Sequence, residues 1–343
     1  MTNLIKKEEN VFKGKDGFSY PFYWTQYETH AIAMDWNINM IPLKEDLNDF
    51  KKASQEDKEV IKNIMLLFTQ NEVSVGGGYI KLLEVFKHTE VRAWLATALN
   101  REFTHINAYS KFTETLGLKD EVYTEFINIP LMRDKIEYVE HAKVKRFKDY
   151  QAVLTPKELD TKYRRDIAFM LAVYGGFTEL VSLYAQFAML MHFQEQNRFK
   201  GLCKIVEWSI RDEFHHGLTN SQLFKDFIKE NLDIWDDELK SNIYEAGRRI
   251  VAYELELVDY INPTHINKDT LKDYIKYCAN NALGHLALKP EYHEIVKNPL
   301  PFMDEITKDT MADFFTTVVT AYSNAVEGDF FELDFGLFNH IKS

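Results

Sequence analysis

Two Glu-x-x-His units constrain this chain more than any other feature: Glu102-Phe103-Thr104-His105 and Glu213-Phe214-His215-His216. Residues three apart on an α-helix share a face, so each unit aims one carboxylate and one imidazole at the same point. Two such units facing each other across a helical bundle supply half of a two-metal carboxylate site. One further carboxylate from each of two more helices supplies the rest. The sequence offers Glu72, 30 residues before Glu102, and Glu179, 34 residues before Glu213. One such unit by itself is a short motif that also arises on exposed helical faces with incidental Glu–His neighbours. Glu179 weighs against that reading. It interrupts the apolar run Ile167–Val181, where a lone charge has to be paired, neutralised or metal-bound.

The 343 residues are 45% hydrophobic and 14% aromatic, enough for the core of one large domain. A net charge of −12 argues against nucleic-acid binding, which needs a basic patch. The start of the chain, Met1-Thr2-Asn3-Leu4-Ile5-Lys6-Lys7-Glu8, lacks the apolar core of a secretory signal. The run from Ile167 to Met191 is long and apolar. Glu179, Gln186, Gly175 and Gly176 would be costly in lipid, so it reads as a buried central helix and not as a membrane span. Cys203 and Cys278 form no Cys-x-x-Cys and no disulfide framework, as expected of reduced core thiols in a cytoplasmic protein.

Helical periodicity dominates, and alternating strand patterns are scarce. The pattern predicts helices near 45–52, 55–86, 90–117, 121–149, 156–198, 201–229, 235–261 and 268–287. Ser54 and Thr155-Pro156 read as helix starts, Leu116-Gly117-Leu118 and Asn262-Pro263 as stops. Gly76-Gly77-Gly78 inside the second helix points to close packing or a local distortion near Glu72. The expected fold is all-α, a ferritin-like four-helix bundle enlarged by peripheral helices, with the ligands on the second, third, fifth and sixth helices. Residues 1–20 read as a flexible arm, 21–310 as the di-metal domain and 311–343 as a tail.

Tyr109 lies seven residues after Glu102 and shares its face with His105. A tyrosine beside a metal pair can be oxidised to a radical; a core tyrosine with a satisfied hydroxyl is the bland alternative in a chain with 18 Tyr.

Here the motifs name a family. Asn100-Arg101-Glu102-Phe103-Thr104-His105-Ile106-Asn107-Ala108-Tyr109 resembles the Glu-x-x-His-x-x-x-Tyr segment of the small, radical-generating subunit of class I ribonucleotide reductase. Arg211-Asp212-Glu213-Phe214-His215-His216 resembles that family's Arg-Asp-Glu-x-x-His. Phe68–Gly76 is similar to its first-ligand helix, and Asn298-Pro299-Leu300-Pro301-Phe302-Met303 to the stretch before its tail. The resemblance runs from about Trp36 to Tyr322.

The resemblance implies roles position by position. Glu72, Glu102, His105, Glu179, Glu213 and His216 would hold two metal ions per chain, iron first, with Mn/Fe or Mn/Mn compatible with the same ligands. The site would activate oxygen or a reduced oxygen species to oxidise Tyr109, with Phe187 shielding the radical. Trp36, Asp212 and the tail residue Tyr322 would pass the oxidising equivalent to a large catalytic subunit, which binds the ribonucleotide. The implied partners are that large subunit, docked through the C-terminal tail, a second copy in a homodimer, and a flavoprotein activator. Glu72 stands where many members carry Asp, and a longer carboxylate chelates or bridges differently. The alternatives are another ferritin-like oxidase, such as a desaturase or ligand-binding oxidase, iron storage, and a purely structural helical protein.

Overall fold

The computed structural model describes residues 4–5, 14–118, 125, 128–145 and 156–306. Tyr322 and the rest of the expected tail lie outside them. The described residues contain no strand. The helices are α1 (Pro21–Glu28), α2 (Lys44–Lys52), α3 (Gln55–Val85), α4 (Thr89–Thr115), α5 (Pro130–His141), α6 (Pro156–Leu171), α7 (Tyr184–Glu195), α8 (Lys200–Glu230), α9 (Asp237–Ile261) and α10 (Lys268–His285). No described helix is long and apolar enough to cross a membrane.

Their ends follow local chemistry. The Ser54 side chain accepts from the Asp57 N–H at 3.1 Å and starts α3. Asp236 and Asn267 do the same for α9 and α10. Asn262 stops α9 in the left-handed region at φ 51°, and Pro263 follows it. The start of α8 is capped from another helix. Asp46 on α2 accepts from the Gly201 and Leu202 N–H groups at 3.1 and 2.8 Å, and Asp49 from Phe199 at 2.8 Å. Carboxylates at a helix N-terminus meet orphan donors and the favourable end of the dipole. The two acidic groups therefore clamp α2 onto the helix that carries Glu213 and His216.

α3 packs along α4, and α8 packs along the segment around Glu179 and reaches α4, which makes the central bundle. α1 lies on α4, α5 bridges α3 and α9, and α9 pairs with α10. One large buried core runs through these layers, and a small second cluster of Leu66, Leu67, Met132 and Leu257 joins α3, α5 and α9. Leu4 is also buried, and its N–H donates to Glu230 at 2.8 Å.

Two expected helices differ in the structure. Within the segment expected over 121–149, Glu125 is helical and a separate helix runs from Pro130 to His141; Pro130 sets that start because it disfavours helical backbone at Ile129, which is extended. The helix expected over 156–198 is interrupted. Ala172–Thr178 is π-helical, Glu179 and Leu180 are α-helical, residues 181–183 form a turn, and helix resumes at Tyr184. Uniform apolarity hid the break, since a fully buried run carries no periodic signal. The insertion is tolerated because Gly175 and Gly176 add no side-chain bulk, and because side chains take up the freed backbone groups. Thr178 Oγ1 donates to the Val173 carbonyl at 3.0 Å, and Lys135 Nζ to the Ser182 carbonyl at 3.2 Å. Lys135 is itself paired with buried Glu254 at 2.6 Å, which also accepts from Gln186. The glycine triplet on α3, in contrast, leaves the helix unbroken. Its use is close approach: a methyl at Gly78 would run into the Tyr174 ring.

Candidate metal centre

The four central elements bring all six sequence-predicted ligands together, and all are buried. Glu72, Glu102, His105 and Glu213 form one group whose candidate ligand atoms lie within 4.8 Å of one another; Glu102, Glu179, Glu213 and His216 form a second. The groups share Glu102 and Glu213. Each group offers carboxylates and one imidazole, a donor set that would suit a pair of divalent cations. His105 turns Nδ1 to Glu213 and Glu72, at 3.0 and 3.5 Å. His216 turns Nδ1 to Glu102 and Glu213, at 3.1 and 3.3 Å.

Orphaned polar atoms test whether metal ions fit. Both oxygens of Glu72, both of Glu102 and Oε1 of Glu213 have no hydrogen-bond partner. Buried carboxylates left this way carry a large desolvation penalty unless cations satisfy them. Burial, followed by the charges of Glu213, Glu179 and Glu72, pushes the Glu102 carboxyl well above its ordinary 4.5 in the metal-free chain. Burial and Glu213 do the same to Glu179. Two divalent cations neutralise four carboxylates, so the residues fit a di-metal group.

This electrostatics has a measurable sign. A carboxyl with a raised folded-state value keeps its proton in the fold and releases it on unfolding, so its contribution is lost as pH rises above the ordinary value. His105, also held well above 6.5 because Glu213, Glu72 and Asp212 outweigh its burial, acts in the same direction. His216 and His30, lowered to about 4 chiefly by burial, oppose it only below 6.5. The melting temperature of the metal-free chain is therefore expected to fall between about pH 7 and 8.5, with a shallower slope in Glu102→Gln. Equal slopes in a calorimetric pH series would contradict this.

The two imidazoles are wired differently. His105 Nε2 lies 3.1 Å from Asp212 Oδ2, the atom that also accepts from Trp36 Nε1 at 2.8 Å. His30 Nε2 lies 3.1 Å from Asp212 Oδ1. Burial alone would raise the Asp212 carboxyl, but the hydrogen bonds from His105 and His30 outweigh it and hold it well below its ordinary range. The Trp36 ring stacks on His105 at 5.9 Å, and its carbonyl accepts from Arg101, which pairs with Asp35. His216 Nε2 makes no hydrogen bond. His105, Asp212 and Trp36 thus form a continuous buried path.

Tyr109 is fully buried on α4, and its hydroxyl donates to Ser209 Oγ at 2.9 Å. Burial, with the charge of Glu72 next, pushes its phenol well above 10. Phe68 packs on the Tyr109 ring at 4.9 Å, and Phe187 packs behind Phe68 at 5.2 Å. Sequence reasoning missed Ser209 and Phe68, although each stands four residues before a ligand, on the same helical face. It also missed His30, which has no local signal because it arrives on the separate segment after α1.

A family model described as "Ribonucleotide reductase, small chain" matches residues 17–299. The chain belongs to the ribonucleotide reductase small-chain family. It is 31% identical to a probable ribonucleoside-diphosphate reductase small subunit of Invertebrate iridescent virus 3, over 90% of this chain and 83% of the relative. Its fold is similar to the ribonucleotide reductase R2 subunit of Clostridium botulinum, with a TM-score of 0.77 and 18% identity over 89% of this chain and 94% of that one. A dimanganese(II) protein of Streptococcus sanguinis has the same fold, with a TM-score of 0.66 and 18% identity over 88% of this chain and 99% of that one. The chain is thus a small subunit of ribonucleoside-diphosphate reductase built on the ferritin-like all-α fold expected from the sequence.

Proposed function

We propose that this small-chain family member generates a radical at Tyr109 and delivers its oxidising equivalent through Asp212, Trp36 and Tyr322 to a large catalytic subunit, which reduces ribonucleotides. The observation that carries the reading is the pair of overlapping ligand groups sharing Glu102 and Glu213, with Tyr109 on the same helix as one of them. Glu72, Glu102, His105 and Glu213 would hold one metal ion; Glu102, Glu179, Glu213 and His216 the other. When bound, the ions supply activation of oxygen and the oxidising equivalent. Iron is the first choice for hard carboxylates with two imidazoles, and Mn/Fe or Mn/Mn fits the same donors. The dimanganese neighbour keeps that option open.

The chain's own residues do the rest. Glu102 and Glu213, common to both groups, would hold both ions, and His105 and His216 would each hold one. Ser209 orients the Tyr109 hydroxyl and takes its proton into a hydrogen bond, while Phe68 and Phe187 exclude water from the ring. Asp212 keeps His105 in the tautomer that leaves Nδ1 free for a metal, and it anchors the Trp36 indole in one hydrogen-bonded line. The tail from 311 to 343 would carry Tyr322 and dock the large subunit, and residues 1–20 would be an arm pinned to the di-metal domain at Leu4 and Tyr20, both of which bond to Glu230. A flavoprotein activator is a further partner in this reading. The buried free thiols Cys203 and Cys278 support a reducing, cytoplasmic setting.

A homodimer is supported by apolar exposure where α3 meets α4. Val73 and Ile80, seven apart on α3, are 57% and 47% exposed, and Phe103 on α4 is 58% exposed. They lie around the line where Gly76 approaches Leu99 and Glu102. Phe103→Glu is expected to halve the mass measured by light scattering at micromolar concentration; an unchanged dimer would place the contact elsewhere. The function itself is tested by mixing the metal-loaded chain with a ribonucleotide reductase large subunit of the same source and assaying nucleotide reduction. No reduction with Fe/Fe, Mn/Fe or Mn/Mn would overturn it.

A further inference from the structure

A second hydrogen-bonded chain leaves the ligand cluster at Glu179, and none of its members is a ligand. The Tyr79 hydroxyl lies 2.6 Å from Glu179 Oε1. Asn220 Nδ2 lies 2.8 Å from the Tyr79 oxygen, and Trp94 Nε1 lies 3.3 Å from Asn220 Oδ1. All three side chains are buried, on α3, α8 and α4.

The direction of donation follows from the donor inventory. An indole N–H only donates, so Asn220 presents its carbonyl oxygen to Trp94 and its amide nitrogen to Tyr79. The Tyr79 oxygen accepts that bond, and its single proton goes to Glu179. Every donor therefore points towards the carboxylate, and low-dielectric surroundings strengthen such a chain. Among the described residues no comparable bond reaches Glu72, whose oxygens have no hydrogen-bond partner and lie no nearer than 3.5 Å to His105 Nδ1. The same aromatic rings also brace His216, whose Nε2 has no hydrogen bond to hold it. Tyr79 meets the His216 ring edge-on at 5.7 Å and Trp94 at 5.9 Å. Asn220 is locked in turn, because a side chain at Gly175 would collide with its Cβ. That contact ties α8 to the π-helical segment immediately before Glu179.

We propose that Tyr79, oriented by Asn220 and Trp94, is a positioning residue for the metal position held by Glu179 and His216. It fixes one oxygen of the Glu179 carboxylate and the plane of the His216 ring. The two metal positions are then unequal: one is pre-oriented by Tyr79, the other relies on the unrestrained Glu72 and on His105 held by Asp212.

The inference rests on the di-metal reading, and a Mn(II) titration of the metal-free full-length chain separates the two. Free Mn(II) is read by electron paramagnetic resonance. Wild type should take up two equivalents; failure to do so sinks the di-metal reading itself. In Tyr79→Phe, one of the two equivalents should bind about tenfold more weakly and the other within about twofold of wild type, the usual effect of removing an outer partner of a ligand. The metal-minus-apo infrared difference spectrum should show a shifted carboxylate stretch. Trp94→Phe, which keeps an aromatic ring and removes the N–H, should weaken the same equivalent. Combined with Tyr79→Phe it should add nothing, because both act through one chain. Two unchanged equivalents in Tyr79→Phe, equal weakening of both, or additive effects in the double variant would each overturn the proposal. If Tyr79→Phe fails to fold, the Trp94→Phe titration and infrared spectrum decide it alone.

Discussion

Asp212→Asn is expected to leave metal uptake near wild type and to lower nucleotide reduction by about 100-fold or more. The substitution keeps the shape of the node. Its one carbonyl oxygen can stand where Oδ2 stands, accepting from Trp36 at 2.8 Å and from His105 at 3.1 Å. Its amide nitrogen then faces His30, which accepts in the opposite tautomer. His105 therefore still offers Nδ1 to the cluster. What disappears is the buried negative charge that His105 and His30 stabilise and that holds the proton of the line between His105 and Trp36. The Tyr109 signal should persist while turnover with the large subunit collapses. The paired measurement is metal content and radical yield on one side, product formation on the other. Turnover within twofold of wild type would remove Asp212 from the path.

Glu102→Gln is expected to do the reverse to stability and function. Glu102 belongs to both ligand groups, so its loss should weaken both metal equivalents, by on the order of 100-fold in affinity, and abolish the radical. In the metal-free chain the same change removes a carboxyl that burial and its acidic neighbours force to keep a proton at neutral pH. Exchanging an uncompensated buried ionisable group for a neutral isostere is stabilising by on the order of 1 kcal/mol. The metal-free variant should then melt about 2 °C or more above metal-free wild type at pH 7.5. A site that destabilises its own scaffold until loaded is the usual stability–function conflict at a functional centre. A variant that melts lower, or that binds both equivalents normally, would show that Glu102 is not shared.

Much of this was legible in the residues, for reasons that differ from one to the next. Glu102, His105, Glu213 and His216 were found because helical geometry converts a spacing of three into a shared face; Glu72 and Glu179 were found as the carboxylates 30 and 34 residues upstream, Glu179 also by its apolar surroundings, and the bundle brings all six together. Ser209 and Phe68 obey the same rule and were missed because neither residue type announces chemistry; only the position of the Tyr109 hydroxyl makes Ser209 a partner. His30 and Tyr79 depend on which helices become neighbours, and that is set by packing across the whole bundle. The π-helical segment before Glu179 was invisible because all of Ala172–Thr178 is buried and none of it is charged, so no polar stripe marks its turns. Gly175 and Gly176 were its only trace. The long reach of Glu72 was the opposite case. The sequence raised the question of how a longer carboxylate would sit in the cluster; in the structure Glu72 faces His105, while the Tyr109 hydroxyl turns to Ser209.

One measurement tests the central claim directly. The metal-free chain is loaded with Fe(II), exposed to oxygen, and its electron paramagnetic resonance spectrum is recorded beside that of Tyr109→Phe, with Mn(II) and mixed-metal samples in parallel. The account predicts a tyrosyl signal in wild type that is absent from Tyr109→Phe, at unchanged metal content. The same tyrosyl signal in Tyr109→Phe, or none in wild type under any metal, would contradict it.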